Sequence, residues 1–232
     1  MPSDPWTGLS VIVPAWNEAA RIGAVLSAAA GHPMVDEVLV VDDGSTDGTA
    51  EVAARIPGVT VIRQPQNGGK TRALVAGIAA ARFSHLMFLD ADLVGLTQTD
   101  LTALARPVRN GRADVSISLR GNAPGLWRRI GLDYISGERV MARSHLPPDL
   151  TDLTRLPGFG FEVALNRRWI AEGVRLAVVP WPGVASPLKS AKQGLWSGVK
   201  SDARMMRDIF RTVSPLQALQ QIVAMRRMRV TF

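Results

Sequence analysis

Asp90 and Asp92 stand two residues apart in the segment FLDADL. The apolar run before them reads as a strand, and the loop after Ala91 can turn both carboxylates toward one ion. Two hard oxygen ligands suit Mg²⁺ or Mn²⁺, with substrate phosphate and water completing the shell. The plain alternative is that one aspartate caps the next helix and the other is solvated, and the short pattern does not choose between them. A second acidic pair, Asp42 and Asp43, lies in VVDDGSTDGTA. These carboxylates could accept hydrogen bonds from a nucleotide's ribose or base, or close a turn in which Ser45, Thr46 or Asp47 caps a helix. Glu18 in VPAWNEAA has the same double reading, as helix start or ligand contact. Trp16 beside it is expected to pack rather than to stack on a base.

Lys70, in NGGKTRA at 67–73, resembles a P-loop lysine, but that pattern needs a glycine where Gln64 stands. A lysine at a helix start is mildly disfavoured by the helix dipole. An anionic ligand there would offset this; the alternative is a solvated lysine.

Short apolar runs alternate with helical stretches through the first half. Strands are expected at 9–15, 35–43, 59–64 and 85–92, and helices at 18–30, 49–56 and 70–82. Such alternation implies a mainly parallel sheet covered on both faces. Ligands of such sheets bind beyond the C-terminal strand ends, which is where the three acidic clusters fall. Farther on, 113–119 and 174–180 read as strands, 160–173 as a helix, and 125–144 as helical or mixed. The tail from about Pro187 reads as two helices split at Ser214–Pro215, since proline disfavours helix in the residue before it.

The 232 residues suit one domain with an appendage. With no cysteine, the chain has neither a disulfide framework nor a cysteine zinc site, which is compatible with a reducing compartment. No basic-then-apolar leader opens the sequence, and no run reaches the roughly 18 apolar residues of a spanning helix. The expected location is therefore cytoplasmic, or peripheral on the inner face of the cell membrane. His32, His85 and His145 are scattered and are expected to be structural. The net charge is +7, and it is concentrated at the end. From Trp196 onward, Lys200, Arg204, Arg207, Arg211, Arg226, Arg227 and Arg229 face only Asp202 and Asp208. A basic end implies an acidic partner. Few aromatics and no recognition motif argue against nucleic acid.

In order and spacing, SVIVPAWNEAARI, VDEVLVVDDGSTDGTA, NGGKTRALVAGI and FLDADL resemble the inverting nucleotide-sugar glycosyltransferases of family 2. These are typified by bacterial polysaccharide synthases and dolichyl-phosphate mannose synthases. The resemblance implies an α/β, Rossmann-like nucleotide-diphospho-sugar transferase fold, with a mostly parallel central sheet flanked by helices. It also implies that Pro14, Ala15, Glu18 and Asp42 or Asp43 line the nucleoside pocket and that Lys70 and Ala91 lie near the nucleotide. Asp90 and Asp92 would be the metal-binding pair. Thr71 stands where many relatives have glycine.

DYISGERVMARS and GFGFEVALNRRWIAEGVRLAVVP resemble the polyprenyl-phosphate branch, and SPLKSAKQG lies where relatives carry a serine-lysine stretch. The implied reaction moves a single hexose from a UDP- or GDP-sugar to a polyprenyl phosphate. Arg120, Arg129, Arg139 and Lys189, with Ser136, are candidate acceptor ligands; each arginine could equally be a structural ion pair. A hydroxyl acceptor, soluble or lipid, is the alternative and would need a base, for which Asp152 and Glu162 are the candidates. A nucleotide-binding partner protein without activity is a further alternative. NRRWI lacks the setting of the processive enzymes' arginine-tryptophan element. The expected organisation is a catalytic domain over 1–186, with a nucleotide half at about 9–93 and an acceptor half at about 94–186. A basic amphipathic helical tail would occupy 187–232. Its apolar stripe would lie on a membrane surface, on the domain, or on a second subunit of a homodimer.

Overall fold

The computed structural model describes residues 5–155, 159–186 and 213–231. In chain order the elements are β1 (Leu9–Ala15), α1 (Ile22–Ala29), β2 (Glu37–Asp42), α2 (Thr49–Ala54), β3 (Val59–Arg63), α3 (Lys70–Ala80) and β4 (His85–Phe88). Next come α4 (Gln98–Arg109), β5 (Val115–Arg120), α5 (Gly125–Ile130), β6 (Arg139–Ala142), α6 (Gly160–Glu172), β7 (Leu176–Trp181) and α7 (Pro215–Arg227). Single 3-10 turns occupy Arg143–His145 and Asp152–Arg155.

The strands form one sheet in the order β3-β2-β1-β4-β6-β5-β7. All neighbouring pairs are parallel except those made by β6, which runs against both β4 and β5. Residues of β1 and β2 are buried throughout, because helices cover both faces of the sheet. Alternate side chains feed two apolar layers: Ile12, Leu39 and Phe88 on one face, Val11, Val40 and Met87 on the other. Gly77 lets α3 close onto β1, since a Cβ there would come within 2.5 Å of Ile12 Cγ2.

Two local expectations are corrected. The first helix starts at Ile22 instead of residue 18. The backbone N–H groups of Asn17, Glu18 and Ala19 are taken by Ser45, Thr49 and Asp47 side chains across the loop, so this stretch is pinned to the start of α2. Asn17 itself adopts a positive φ of 54°. The segment read as helical or mixed over 125–144 contains β6, a central strand. Four residues are too few for periodicity to reveal, and only pairing with β4 and β5 defines it.

The break at Ser214–Pro215 matches the sequence reading: the Ser214 hydroxyl accepts the Gln217 N–H, and Pro215 opens α7. The other tail helix falls within 187–212, outside the described residues. Ala218 and Met225 on the inner face of α7 join the core beside α6. Beyond α7, Met228 and Val230 pair with Leu176 of β7. The histidines hold structural positions: His32 bonds Thr102, His85 stacks on Trp6, and His145 pairs with Glu172. No helix among the described residues is long and apolar enough to cross a membrane.

Candidate functional site

The chain runs outward from β1 through β2 to β3, then returns to β4 on the other side of β1. At such a reversal the loops leaving neighbouring strands diverge and open a crevice beyond the strand ends. A cleft of about 320 Å³ lies there. Pro14, Ala15, Glu18, Asp43, Lys70, Asp90, Ala91 and Asp92 all line it, so the structure brings together most residues singled out in the first half. Asp42 lies in the adjoining turn, where its carboxylate accepts the Ser45 N–H.

Asp43 has an architectural task. Its two oxygens accept the N–H groups of Gly68 and Gly69 at 2.9 and 2.7 Å. This ties the loop after β3 to the end of β2 and delivers Lys70 into the cleft as the first residue of α3. Its ammonium sits 2.6 Å from Asp90 and 3.2 Å from Glu162. Burial alone would push the lysine pKa down, but Asp90 and Glu162 outweigh it and hold it well above the ordinary value. The unfavourable placement of a cation at a helix start is thus offset by carboxylates of the protein. Glu162 is itself in the first turn of α6, where the dipole favours an acid.

Asp92 is held from the far end of the domain. An isolated bridge between Val94 and Ala185 brings Ser186 alongside, and its hydroxyl donates to the Asp92 carboxylate at 3.0–3.1 Å. Burial pushes the Asp92 pKa up and the Asp90 charge adds to this, while Ser186 pulls it part of the way back. Two crowded carboxylates are what a divalent ion would relieve. The described residues contain no cluster of three potential ligands. Asp90 and Asp92 are hard oxygen donors of the kind that Mg²⁺ and Mn²⁺ take.

The sequence reading passed over two positions. One is Ser186. The other is Gly137, where an added Cβ would lie 2.8 Å from Asp90 Oδ1 and 2.9 Å from Lys70 Nζ. A glycine in DYISGER gave no hint that it faces Asp90, 47 positions earlier. Because the obstructed atoms are side-chain ends, Gly137→Ala is expected to displace the pair more than it destabilises the fold. We expect a roughly ten- to hundredfold fall in kcat/KM, the scale of a small misplacement of reacting groups. The melting temperature should stay nearly unchanged; activity retained in full would show that the close approach is unimportant.

Trp16 also differs from expectation: it does not pack, but stands 50% exposed at the cleft.

The acceptor candidates are dispersed. Arg120 is mostly buried, 3.4 Å from Asp133 and 3.6 Å from Glu138. Burial would lower its pKa, yet those two carboxylates raise it, and its charge reaches Asp90 and Asp92. Arg129 is exposed on α5, and Asp152 is exposed on a 3-10 turn packed beside α3. Lys189 lies outside the described residues. Two assignments need correction. Ser136 is fully buried, bonded to Ser118 and Glu138. Arg139 is fully buried as well; it donates to the Ser136 and Tyr134 carbonyls and to Asn166 Oδ1, and stacks on Trp169. Its position inside the protein leaves no donor aimed at a ligand.

Residues 10–172 match the profile of Glycosyl transferase family 2. A dolichyl-phosphate beta-glucosyltransferase of Trichomonas vaginalis is 35% identical over 112 residues, 43% of this chain and 32% of that one. A 4,4'-diaponeurosporenoate glycosyltransferase of Staphylococcus aureus is 36% identical over 101 residues, 41% of this chain and 27% of that one. The matches thus span about a third or less of those relatives. Among solved structures, glucosyl-3-phosphoglycerate synthase of Mycobacterium tuberculosis, in complex with Mn²⁺, UDP and phosphoglyceric acid, superposes with a TM-score of 0.67. It is 25% identical, and the superposition covers 90% of this chain and 79% of that one.

Proposed function

The chain belongs to glycosyl transferase family 2, and from that premise we propose that it transfers a single hexose from a nucleotide sugar to a polyprenyl phosphate, with inversion. The observation that carries this reading is the joint placement of Glu18, Asp43, Lys70, Asp90 and Asp92 in one cleft at the sheet's reversal point. In this reading the nucleoside enters between Pro14, Glu18 and Asp43, and the exposed Trp16 ring offers a face for the base. Asp90 and Asp92 would hold Mg²⁺ or Mn²⁺, which when bound would supply positive charge to offset that of the departing nucleoside diphosphate. The solved relative with Mn²⁺ and UDP supports this choice of metal and donor.

A phosphate acceptor needs little else from the protein. Its second pKa is about 6, so it is largely dianionic at neutral pH and attacks without a base. A hydroxyl acceptor needs a carboxylate within reach, and Glu162 is buried and engaged by Lys70. Among the candidate arginines, Arg120 is the one whose charge reaches Asp90 and Asp92, and it is the one we assign to an anionic acceptor, with Asp133 and Glu138 holding it in place. The resemblance to a dolichyl-phosphate glucosyltransferase points the same way. The second reading is transfer to a soluble hydroxyl acceptor that carries phosphate, favoured by the phosphoglyceric acid in the solved relative; Asp152 would then be the base to test.

The deciding experiment offers labelled UDP- and GDP-sugars, with Mg²⁺ or Mn²⁺, to polyprenyl phosphate in detergent. Label in the organic phase, abolished by chelator, is the expected result. Release of UDP or GDP without organic label would reject the acceptor, and nucleotide binding without turnover on any acceptor would reject the enzyme.

A further inference from the structure

The inner face of α7 is part of the core, but its outer face carries apolar side chains among polar ones. Leu216, Leu219 and Val223 lie three, then four residues apart and are 65%, 57% and 41% exposed. That spacing aligns them along one side of the helix. Arg226 and Arg227 stand at its exposed C-terminal end. The short helix α5 presents the same combination, with Leu126 57% exposed beside exposed Arg128 and Arg129.

The segment that follows α5 reaches α7 and its end. The Tyr134 hydroxyl, just beyond α5, donates to Gln221 of α7 at 2.7 Å. At the end of α5, a Cβ on Gly131 would lie 3.0 Å from the Arg229 guanidinium. Neither helix carries an acidic residue. Each helix thus exposes leucine or valine beside arginines, and the 131–134 segment joins the two. From α5 the chain runs through 131–137 directly to Gly137, against Lys70 and Asp90 in the cleft.

We infer that this α5–α7 surface docks on an anionic lipid bilayer, with Leu216, Leu219 and Val223 in the headgroup boundary and the arginines on lipid phosphates. Charge complementarity selects the occupant. On these two helices a second copy of the chain offers no acidic partner for the arginines. The adjoining residues 187–212 carry six lysines and arginines against two aspartates, so they add positive charge instead of countering it. Arginines flanking an apolar stripe are the pattern of helices that lie in the interface of anionic membranes. The purpose of docking rests on the lipid-acceptor reading, since it would present the cleft to a phosphate at the bilayer surface; its test requires no turnover.

Full-length protein is spun with vesicles of phosphatidylcholine alone, or with one lipid in three replaced by phosphatidylglycerol. The wild type should sediment with the anionic vesicles only. Arg226→Gln with Arg227→Gln should weaken that binding roughly ten- to thirtyfold, from the usual worth of a basic residue at an anionic surface. Leu219→Glu with Val223→Glu should abolish it, while the melting curve of both double variants stays that of wild type because all four side chains are exposed. Equal sedimentation of wild type and variants overturns the inference, as does binding indifferent to lipid charge. So does a wild-type dimer in light scattering that Leu219→Glu with Val223→Glu dissociates, which would make the face a subunit interface. Vesicle binding without transfer to polyprenyl phosphate would retain the surface and fail the acceptor; transfer in detergent without vesicle binding would do the reverse.

Discussion

Asp92→Asn is expected to lower the transfer rate by about two orders of magnitude or more while leaving the protein folded. A metal's stabilisation of developing charge is worth several kcal/mol, and each 1.36 kcal/mol is about tenfold in rate. Asparagine has the same shape, and its carbonyl still accepts from Ser186, whose hydroxyl is the hydrogen-bond partner observed for Asp92. What is lost is a negative charge whose surroundings already disfavour it, since burial and Asp90 both raise its pKa. The substitution should therefore be neutral or mildly stabilising in a thermal melt and severe in an assay at saturating Mn²⁺. Titration of Mn²⁺ should show weakened binding in parallel. Unchanged turnover in a folded Asp92→Asn protein would refute the metal assignment.

Arg139→Met should have the opposite signature. The guanidinium is fully buried, and burial holds its pKa below the ordinary arginine value, so its charge is maintained at a cost. Methionine fills much of the volume and relieves that cost. It also leaves the Ser136 carbonyl and Asn166 Oδ1 without the donors at 2.6 and 2.7 Å. The Tyr134 carbonyl keeps a second donor, from Asn166. Orphaning two buried acceptors costs about 1–3 kcal/mol each, which outweighs the relief. A net loss of roughly 2–5 kcal/mol corresponds to a melting temperature lower by roughly 5–15 °C for a domain of this size. Kinetics separate the alternatives: an acceptor ligand would raise the acceptor KM with an unchanged melt. A structural arginine destabilises the fold and leaves KM near wild type in whatever protein remains folded.

The two variants mark two ways in which residues of this chain were legible. The strand-end acids and Lys70 were readable because their positions obey local pattern: an apolar run fixes a strand, and the residues just after the run must lie at the strand's end. Once the sheet is parallel, Glu18, Asp43 and Asp90 reach the same rim without further information. Arg139 was misjudged because its motif shows a polar cluster but not the direction in which it faces. That direction depends on β6, whose insertion between β4 and β5 turns Arg139 inward onto Trp169 and leaves Gly137 beneath Asp90.

By itself the sequence determined the alternation of strands and helices, the rim on which the chemistry stands, the excess of positive charge at the end, and the helix break before Pro215. These depend on backbone periodicity, on proline's missing N–H and on covalent neighbours, all of which act within a few residues. Only the tertiary structure decided which charges meet. Lys70 finds Glu162, Asp92 finds Ser186, and Tyr134 finds Gln221 across separations of 87 to 94 residues. The outer stripe of α7 became visible as a surface only after its inner face was seen in the core. Such contacts are set by strand order and by the packing of both faces of the sheet, and no local propensity encodes them.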